Sequence, residues 1–278
     1  MNAHEFSFGA LLRRWRQRRR MTQFDLAAAA NSSTRHLSYL EIGRAKPSRE
    51  MVARLAESLG IPLRERNTLL LSAGFAPAFQ ERALADLASV HQALDRIIEA
   101  HKPYPAFAVD RHWDIVLSNR VLPQLYVDVS AELLRPPVNA IRLMLHPLGM
   151  APRIVNLGEW RAYIITMLRQ QVEASTDPGV QSLLTEITGY PVPKGGAAAA
   201  IEDGAHRYAT PLQIATDAGT VSFLNTVTVF GTPTDVTLSE LALEMLFPAD
   251  ADTVAIVAKL TAQEMAPAAR SSRLVTVR

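Results

Sequence analysis

Residue types that carry covalent or metal chemistry are thinly spread in this chain. With no Cys there can be no disulfide, thiolate zinc site, iron–sulfur cluster or cysteine nucleophile. His4, His36, His91, His101, His112, His146 and His206 fall without a paired i, i+4 arrangement, and no Gly-x-Ser-x-Gly elbow, P-loop or Gly-rich phosphate fingerprint is present. No catalytic role, metal or cofactor is expected. What the chain does concentrate is guanidinium. Met1–Gln80 holds 13 Arg/Lys against 6 Asp/Glu, and the remaining residues 16 against 21, beneath an overall net charge of +2. A basic first segment ahead of a mildly acidic body suits a partner made of phosphates, because phosphate neutralisation supplies most sequence-independent affinity for nucleic acid. A solvated basic face is the plainer alternative. One cation stands apart: Arg35 sits among Thr34, Ser38 and Tyr39, and a planar guanidinium can fork onto a guanine edge or onto a phosphate.

These side chains need helices to hold them. Phe8, Leu11, Leu12 and Trp15 form the apolar stripe of a first helix that runs to about Arg19. Thr22 and Asp25 have capping-box spacing and open a short second helix carrying Leu26, Ala27 and Ala30. Asn31 tolerates the left-handed conformation of a tight turn, and Ser32 or Ser33 can cap the next helix at once. That third helix, Thr34 to about Ile42, turns Leu37 and Leu40 inward and Thr34, Arg35, Ser38 and Tyr39 outward, and Gly43 ends it. Pro47-Ser48 starts a fourth helix stopped by Gly60, and Pro62 a fifth closed by Gly74.

Beyond this the pattern predicts a connector helix from Gln80 to His101, with Leu84, Leu87, Leu94, Ile97 and Ile98 on one face. Strands are expected at Pro105–Asp110, Trp113–Leu117, Ala209–Thr216, Thr220–Phe230 and Leu241–Phe247, the third and fourth joined by the turn Asp217-Ala218-Gly219. Helices are expected at Ser118–Tyr126, Ser130–Leu145, Leu157–Ala174, Pro178–Gly189 and Asp250–Leu260. Lys194–Gly204 reads as a Gly/Ala-rich loop and Met265–Arg278 as a loose tail. The resulting division is a helical domain over 1–76, a connector over 77–102, an α+β domain over 103–262 and a tail over 263–278. No apolar run approaches the roughly 18 residues of a spanning helix, and Met1 to Glu5 lacks a signal-peptide pattern, so a cytoplasmic protein without membrane contact is expected.

The string from Met21 to Glu41, then Gly43-Arg44 and Pro47-Ser48, resembles the XRE-type helix-turn-helix of repressor-like regulators over roughly residues 6–73, with Asn31 and Ser32 standing where the family usually has Gly and an aliphatic. The resemblance implies an all-α, five-helix fold that binds double-stranded DNA. It places Ser33, Thr34, Arg35, Ser38 and Tyr39 on the recognition helix, and Gln23 at a helix start that faces phosphate. Arg44 and Lys46, with Arg13, Arg14 and Arg18, are candidate phosphate or steering charges or simply solvated ones. Arg16 and Glu41 fall where the family forms a partly buried ion pair, a structural role rather than a DNA contact.

Asn139-Ala-Ile-Arg142, His146-Pro-Leu-Gly149, Ala151-Pro-Arg-Ile-Val-Asn156, Glu159-Trp160-Arg161, Phe230-Gly-Thr-Pro-Thr-Asp-Val-Thr237 and Phe247-Pro-Ala-Asp250 resemble the PAS-like ligand-binding domain of MmyB-like regulators, over about residues 103–260. That implies an α+β fold with a five-stranded antiparallel sheet, and a sensor of small apolar molecules with fatty-acid-like ligands as precedent. Phe107, Trp113, Trp160, Ile164, Leu168, Phe223 and Val227 are candidate pocket residues that equally describe an ordinary core, and Asn119, Arg142 and Arg161 are candidate headgroup contacts. A homodimer on an inverted-repeat operator is expected. The alternative keeps the DNA-binding head and makes the second domain a dimerisation or protein-interaction module without a ligand.

Overall fold

A computed structural model describes residues 7–175, 177–191, 210–231 and 233–265. The Lys194–Gly204 loop and residues 266–278 of the expected tail lie outside the described residues. The chain forms two compact units. The first comprises Met1–Ala88, Met167–Leu184 and Phe230–Leu241, and the second comprises Ser89–Thr166, Thr185–Val229 and Ala242–Arg278.

Five helices open the first unit: α1 (Phe8–Arg18), α2 (Gln23–Ala29), α3 (Thr34–Glu41), α4 (Arg49–Ser58) and α5 (Leu63–Ser72). Four of them start on a side-chain cap. Ser7, Thr22, Ser33 and Ser48 each accept a hydrogen bond from the backbone N–H three residues on, and Thr22 and Asp25 close the expected capping box. Asn31 takes the left-handed conformation, at φ 49°, and Ser32 N–H returns to the Ala27 carbonyl at 2.8 Å. The chain therefore leaves α2 and enters α3 within one tight turn. Leu12, Leu26, Leu37, Leu40 and Leu55 lie in the shared core, each at 1% exposure or less. Fully burying each such side chain contributes about 1.5–3 kcal/mol. At Gly9, α1 approaches α3 so closely that a Cβ would stand 2.4 Å from the Glu41 carbonyl oxygen and 2.5 Å from that of Leu40. Only glycine fits there.

The rest of the chain contributes α6 (Ala88–Ala100), β1 (Ala106–Val109), β2 (Ile115–Ser118), α7 (Ala140–Leu145), α8 (Leu157–Ala174), α9 (Pro178–Gly189), β3 (Leu212–Thr216), β4 (Gly219–Val229), α10 (Val236–Ser239), β5 (Ala242–Pro248) and α11 (Ala251–Met265). The strands form one antiparallel sheet in the order β2-β1-β5-β4-β3. Three helical expectations are corrected. Ser130–Leu145 is helical only from Ala140, because Pro136 and Pro137 cannot donate to a helical ladder. Ser118–Tyr126 keeps only a short 3-10 turn at Leu122–Leu125, where Pro123 stands. The connector helix begins at Ala88; upstream of it Gln80 forms a parallel bridge with Asp235 and Leu84–Asp86 forms a single 3-10 turn.

Within the first unit the later segment Phe230–Leu241 is tied to the opening segment by charge. Arg64 on α5 forks onto Glu240 at 2.8 and 2.9 Å, which raises its already high pKa further. Arg82 reaches Asp235, 1% exposed, at 2.9 Å, and Asp235 also caps α10.

Candidate nucleic-acid interface and sheet-face site

The outward side of α3 carries the residues expected there. Ser33, Thr34 and Arg35 are exposed and Ser38 and Tyr39 half-buried, while Leu37 and Leu40 face the core. Arg35 lies over the Tyr39 ring with its guanidinium carbon 5.5 Å from the centroid and donates from Nε to the Tyr39 hydroxyl at 3.2 Å. That holds a flexible cation along the helix surface, ready to fork onto a planar acceptor. The Ser33 hydroxyl accepts from His36 N–H, so its first duty is to cap α3. Arg44 and Lys46 are exposed beyond the helix end.

Behind this surface Glu41 collects three charge-assisted hydrogen bonds. Arg16 Nε reaches Oε1 at 2.6 Å, Arg16 NH2 reaches Oε2 at 2.9 Å and Gln23 Nε2 reaches Oε2 at 2.8 Å. Arg16 NH1 also donates to the Met21 carbonyl. The side chains of Arg16 and Glu41 are 11% and 2% exposed, and the carboxylate holds the guanidinium pKa above its usual value. The expected ion pair is therefore present. Gln23 is the addition that sequence reading missed: its side chain is held by Glu41, so α1, α2 and α3 are locked through one carboxylate. Arg18 donates to the Val172 and Glu173 carbonyls, which engages its donors within the protein.

In the second unit, strand register sets out a different arrangement. Glu244 on β5 lies opposite Phe107 on β1 and Val227 on β4, so these three side chains form a row on one face of the sheet. Asn225 and Phe223 continue that face along β4 by two-residue alternation. Phe107 packs in a cluster with Val109, Leu122, Trp113, Ile115 and Tyr126. Burial there pushes the Tyr126 phenol pKa upward. Trp160 and Ile164 lie one turn apart on α8 and are buried, with the Trp160 Nε1 donating to Met144 Sδ at 2.9 Å. Leu168, fully buried, belongs to the first unit instead. Phe223 is fully buried, whereas Val227 is 49% exposed, so this row is open at its β4 end.

The chain matches the family described as the MmyB-like transcription regulator ligand binding domain over residues 90–260, and a helix-turn-helix domain family over residues 7–69. The chain belongs to the MmyB-like transcription regulators. Uncharacterised HTH-type transcriptional regulators of Mycobacterium tuberculosis and Mycobacterium bovis are 30% identical to it over 168 residues, 60% of this chain and 56% of theirs. The chain thus spans a little over half the length of these curated relatives. Multiprotein-bridging factor 1 of Candida albicans is 33% identical over 63 residues, 23% of this chain and 42% of that protein. Among the described residues, no helix is long and apolar enough to cross a membrane.

Within the span that this MmyB-like regulator shares with its family's ligand-binding domain, the polar residues expected to meet a headgroup each make hydrogen bonds within the protein. Asn119, 1% exposed, donates to the Ile98 and Tyr104 carbonyls and accepts from Val121 and Leu122 N–H, which uses both donors and both acceptor positions of its amide. Arg142 forks onto Glu186 at 2.8 to 3.0 Å, and Glu186 also accepts from the Tyr190 hydroxyl. The paired Arg142 holds the Glu186 carboxyl below its usual pKa. Arg161 NH2 donates to the Ile187 and Thr188 carbonyls at the end of α9, while among the described residues its Nε is buried without a hydrogen-bond partner. All three make structural bonds. The charged residue that does sit on the sheet face, Glu244, went unpicked. Its signal was available: one acid inside the otherwise apolar run Leu241–Phe247, at the alternation position shared with Ala242 and Leu246.

Proposed function

We propose that this protein is a sequence-specific DNA-binding transcriptional regulator that works as a homodimer on an inverted-repeat operator in the cytoplasm. The observation that carries the reading is α3 itself: a capped helix whose exposed Thr34 and Arg35 lie beside Ser38 and Tyr39, fixed from behind by the Arg16–Glu41–Gln23 network. A preorganised helix of this size reads only a few base pairs, so two copies about one DNA turn apart, roughly 34 Å, supply the remaining specificity. Selection of bound sequences from randomised duplexes tests it. The expected result is a two-fold symmetric site whose occupancy falls steeply with salt; an asymmetric single half-site removes the dimer from the proposal.

The second domain, in this reading, senses a small, elongated, mostly apolar molecule, for which the family's fatty-acid-like precedent is the starting point. Support comes from the family match and from the row Phe107, Glu244, Val227, which is apolar, partly open and interrupted by one polar group. Coupling in this reading would run through the chain itself. Phe230–Leu241, the connection from β4 to β5, belongs to the same unit as the helix-turn-helix and is held to it through Arg64 and Arg82. A ligand changes DNA affinity only by binding two arrangements differently, and typical couplings of about 1–3 kcal/mol correspond to roughly 5–150-fold. Operator affinity that stays constant across saturating apolar ligands would return the domain to the interaction-module alternative.

A further inference from the structure

Glu244 is the one acid on the sheet face described above, and its surroundings are incomplete. It is 2% exposed, and among the described residues it accepts one hydrogen bond, from Asn225 Nδ2 to Oε2 at 2.6 Å. Among the described residues, Glu244 Oε1 and Asn225 Oδ1 are both buried without a hydrogen-bond partner. Two acceptor oxygens therefore lack donors on neighbouring strands, on two side chains that are hydrogen-bonded to each other, and leaving a buried polar group unsatisfied is costly enough that most folds avoid it. Phe107 and Val227 flank Glu244 in register, and the phenol of Tyr163 on α8 is close enough to feel its charge. No guanidinium or ammonium of the described residues forms an ion pair with Glu244, whereas Arg142 and Arg161 are engaged elsewhere. An anionic headgroup would meet a carboxyl here and no cation. The adjoining surface is open and greasy, with Val227 49% and Val229 64% exposed on the same face of β4.

We propose that the ligand of this domain carries a primary ammonium group, bound by Glu244 Oε1 and Asn225 Oδ1, with its apolar chain laid along Phe107 and Val227. The inference rests on the sensing reading above and specifies the head of the molecule sensed. An ammonium has three donors and no acceptor, which is the complement of two unpartnered oxygens. It also brings the charge that a buried carboxylate lacks, since burial disfavours the ionised form and an adjacent cation restores it. A fatty acid presents the opposite chemistry at this point.

The test compares octylamine, octanol and octanoate, one chain length with three heads, titrated into the full chain with Trp fluorescence and calorimetry as readouts; Trp113 lies in the Phe107 cluster. Octylamine is expected to bind about tenfold more tightly than octanoate, a difference of about 1.4 kcal/mol. Glu244→Gln should remove most of the preference for octylamine over octanoate, bringing the two within about twofold of each other. Octanoate binding as tightly as octylamine, or an amine preference that survives in Glu244→Gln, overturns the assignment and leaves sensing intact. No binding by any of the three overturns the sensing reading and this inference with it. The wild-type comparison needs no variant, so the proposal stays falsifiable if Glu244→Gln does not fold.

Discussion

Two buried carboxylates divide this molecule. The Glu41 side chain and Glu244 are each 2% exposed, but Glu41 accepts three hydrogen bonds from Arg16 and Gln23, whereas Glu244 accepts one from Asn225 and leaves an oxygen unpaired. The Glu41 carboxylate thus has both its oxygens engaged behind the recognition helix before any partner arrives. The sheet face retains unsatisfied polar atoms beside exposed apolar ones. A reader of fixed DNA geometry gains from the first arrangement, because every contact it makes is pre-positioned. For the sensor site proposed above, groups left unmet in the free state are one source of the differential affinity that a ligand-driven change requires.

The contrast can be broken most forcefully at Arg16. Arg16→Ala leaves Glu41 buried and without its cation, with an expected loss of about 3–5 kcal/mol of stability and a matching loss of helix-turn-helix structure. Urea unfolding followed by circular dichroism measures it, and a loss under about 1 kcal/mol would show that the network is not what locks the three helices. Glu244 should behave in the opposite sense. Its carboxyl is pushed up to about 7 by burial, from an ordinary 4.5. Between those values the folded chain holds a proton that the unfolded chain releases, so stability declines as pH rises through that window. The cost approaches about 3 kcal/mol once Glu244 is ionised. Glu244→Gln should remove this decline relative to wild type, and identical unfolding midpoints across pH 4.5 to 7 for the two proteins would refute the burial argument.

Smaller effects sharpen the comparison on the head. Arg35→Ala is expected to relax base preference at one position of each half-site by about 1–3 kcal/mol, while Lys46→Ala weakens all sequences alike. Unchanged selection profiles for the Arg35 variant would remove it from the base-reading set. Thr22→Ala deletes one half of the capping box and should cost about 1 kcal/mol in thermal or urea unfolding. Arg142→Ala, although it breaks a forked pair with Glu186, removes an interaction whose side chains are 42% and 35% exposed and should cost under about 1 kcal/mol.

Legibility in the sequence follows the range of the interaction. Thr22 with Asp25, Asn31 in the left-handed turn and Ser33 as the cap of α3 were all readable, because each satisfies backbone groups within a few residues of itself. The same local logic marks Pro136-Pro137 as a barrier, and apolar periodicity across Ser130–Leu145 outweighed it wrongly. Asn119 and Arg142 look like ligand contacts when polar residues are sorted by type, and only the fold shows that both are hydrogen-bonded within the protein.

Sequence alone therefore determined the five opening helices, the outward set on α3, the Arg16–Glu41 pairing by resemblance and the hairpin at Asp217-Ala218-Gly219. Caps, turn residues and a 3.6-residue period are written in neighbouring positions, so they need no knowledge of the rest of the chain. Tertiary structure decided the strand order β2-β1-β5-β4-β3, which brings Phe107, Glu244 and Val227 from distant parts of the chain into one row. It also decided that Gln23 joins the Glu41 network and that Glu244 is buried with an oxygen unpaired. Burial and hydrogen-bond satisfaction depend on what packs around a side chain, and non-local strand pairing sets that environment only when the whole sheet has formed.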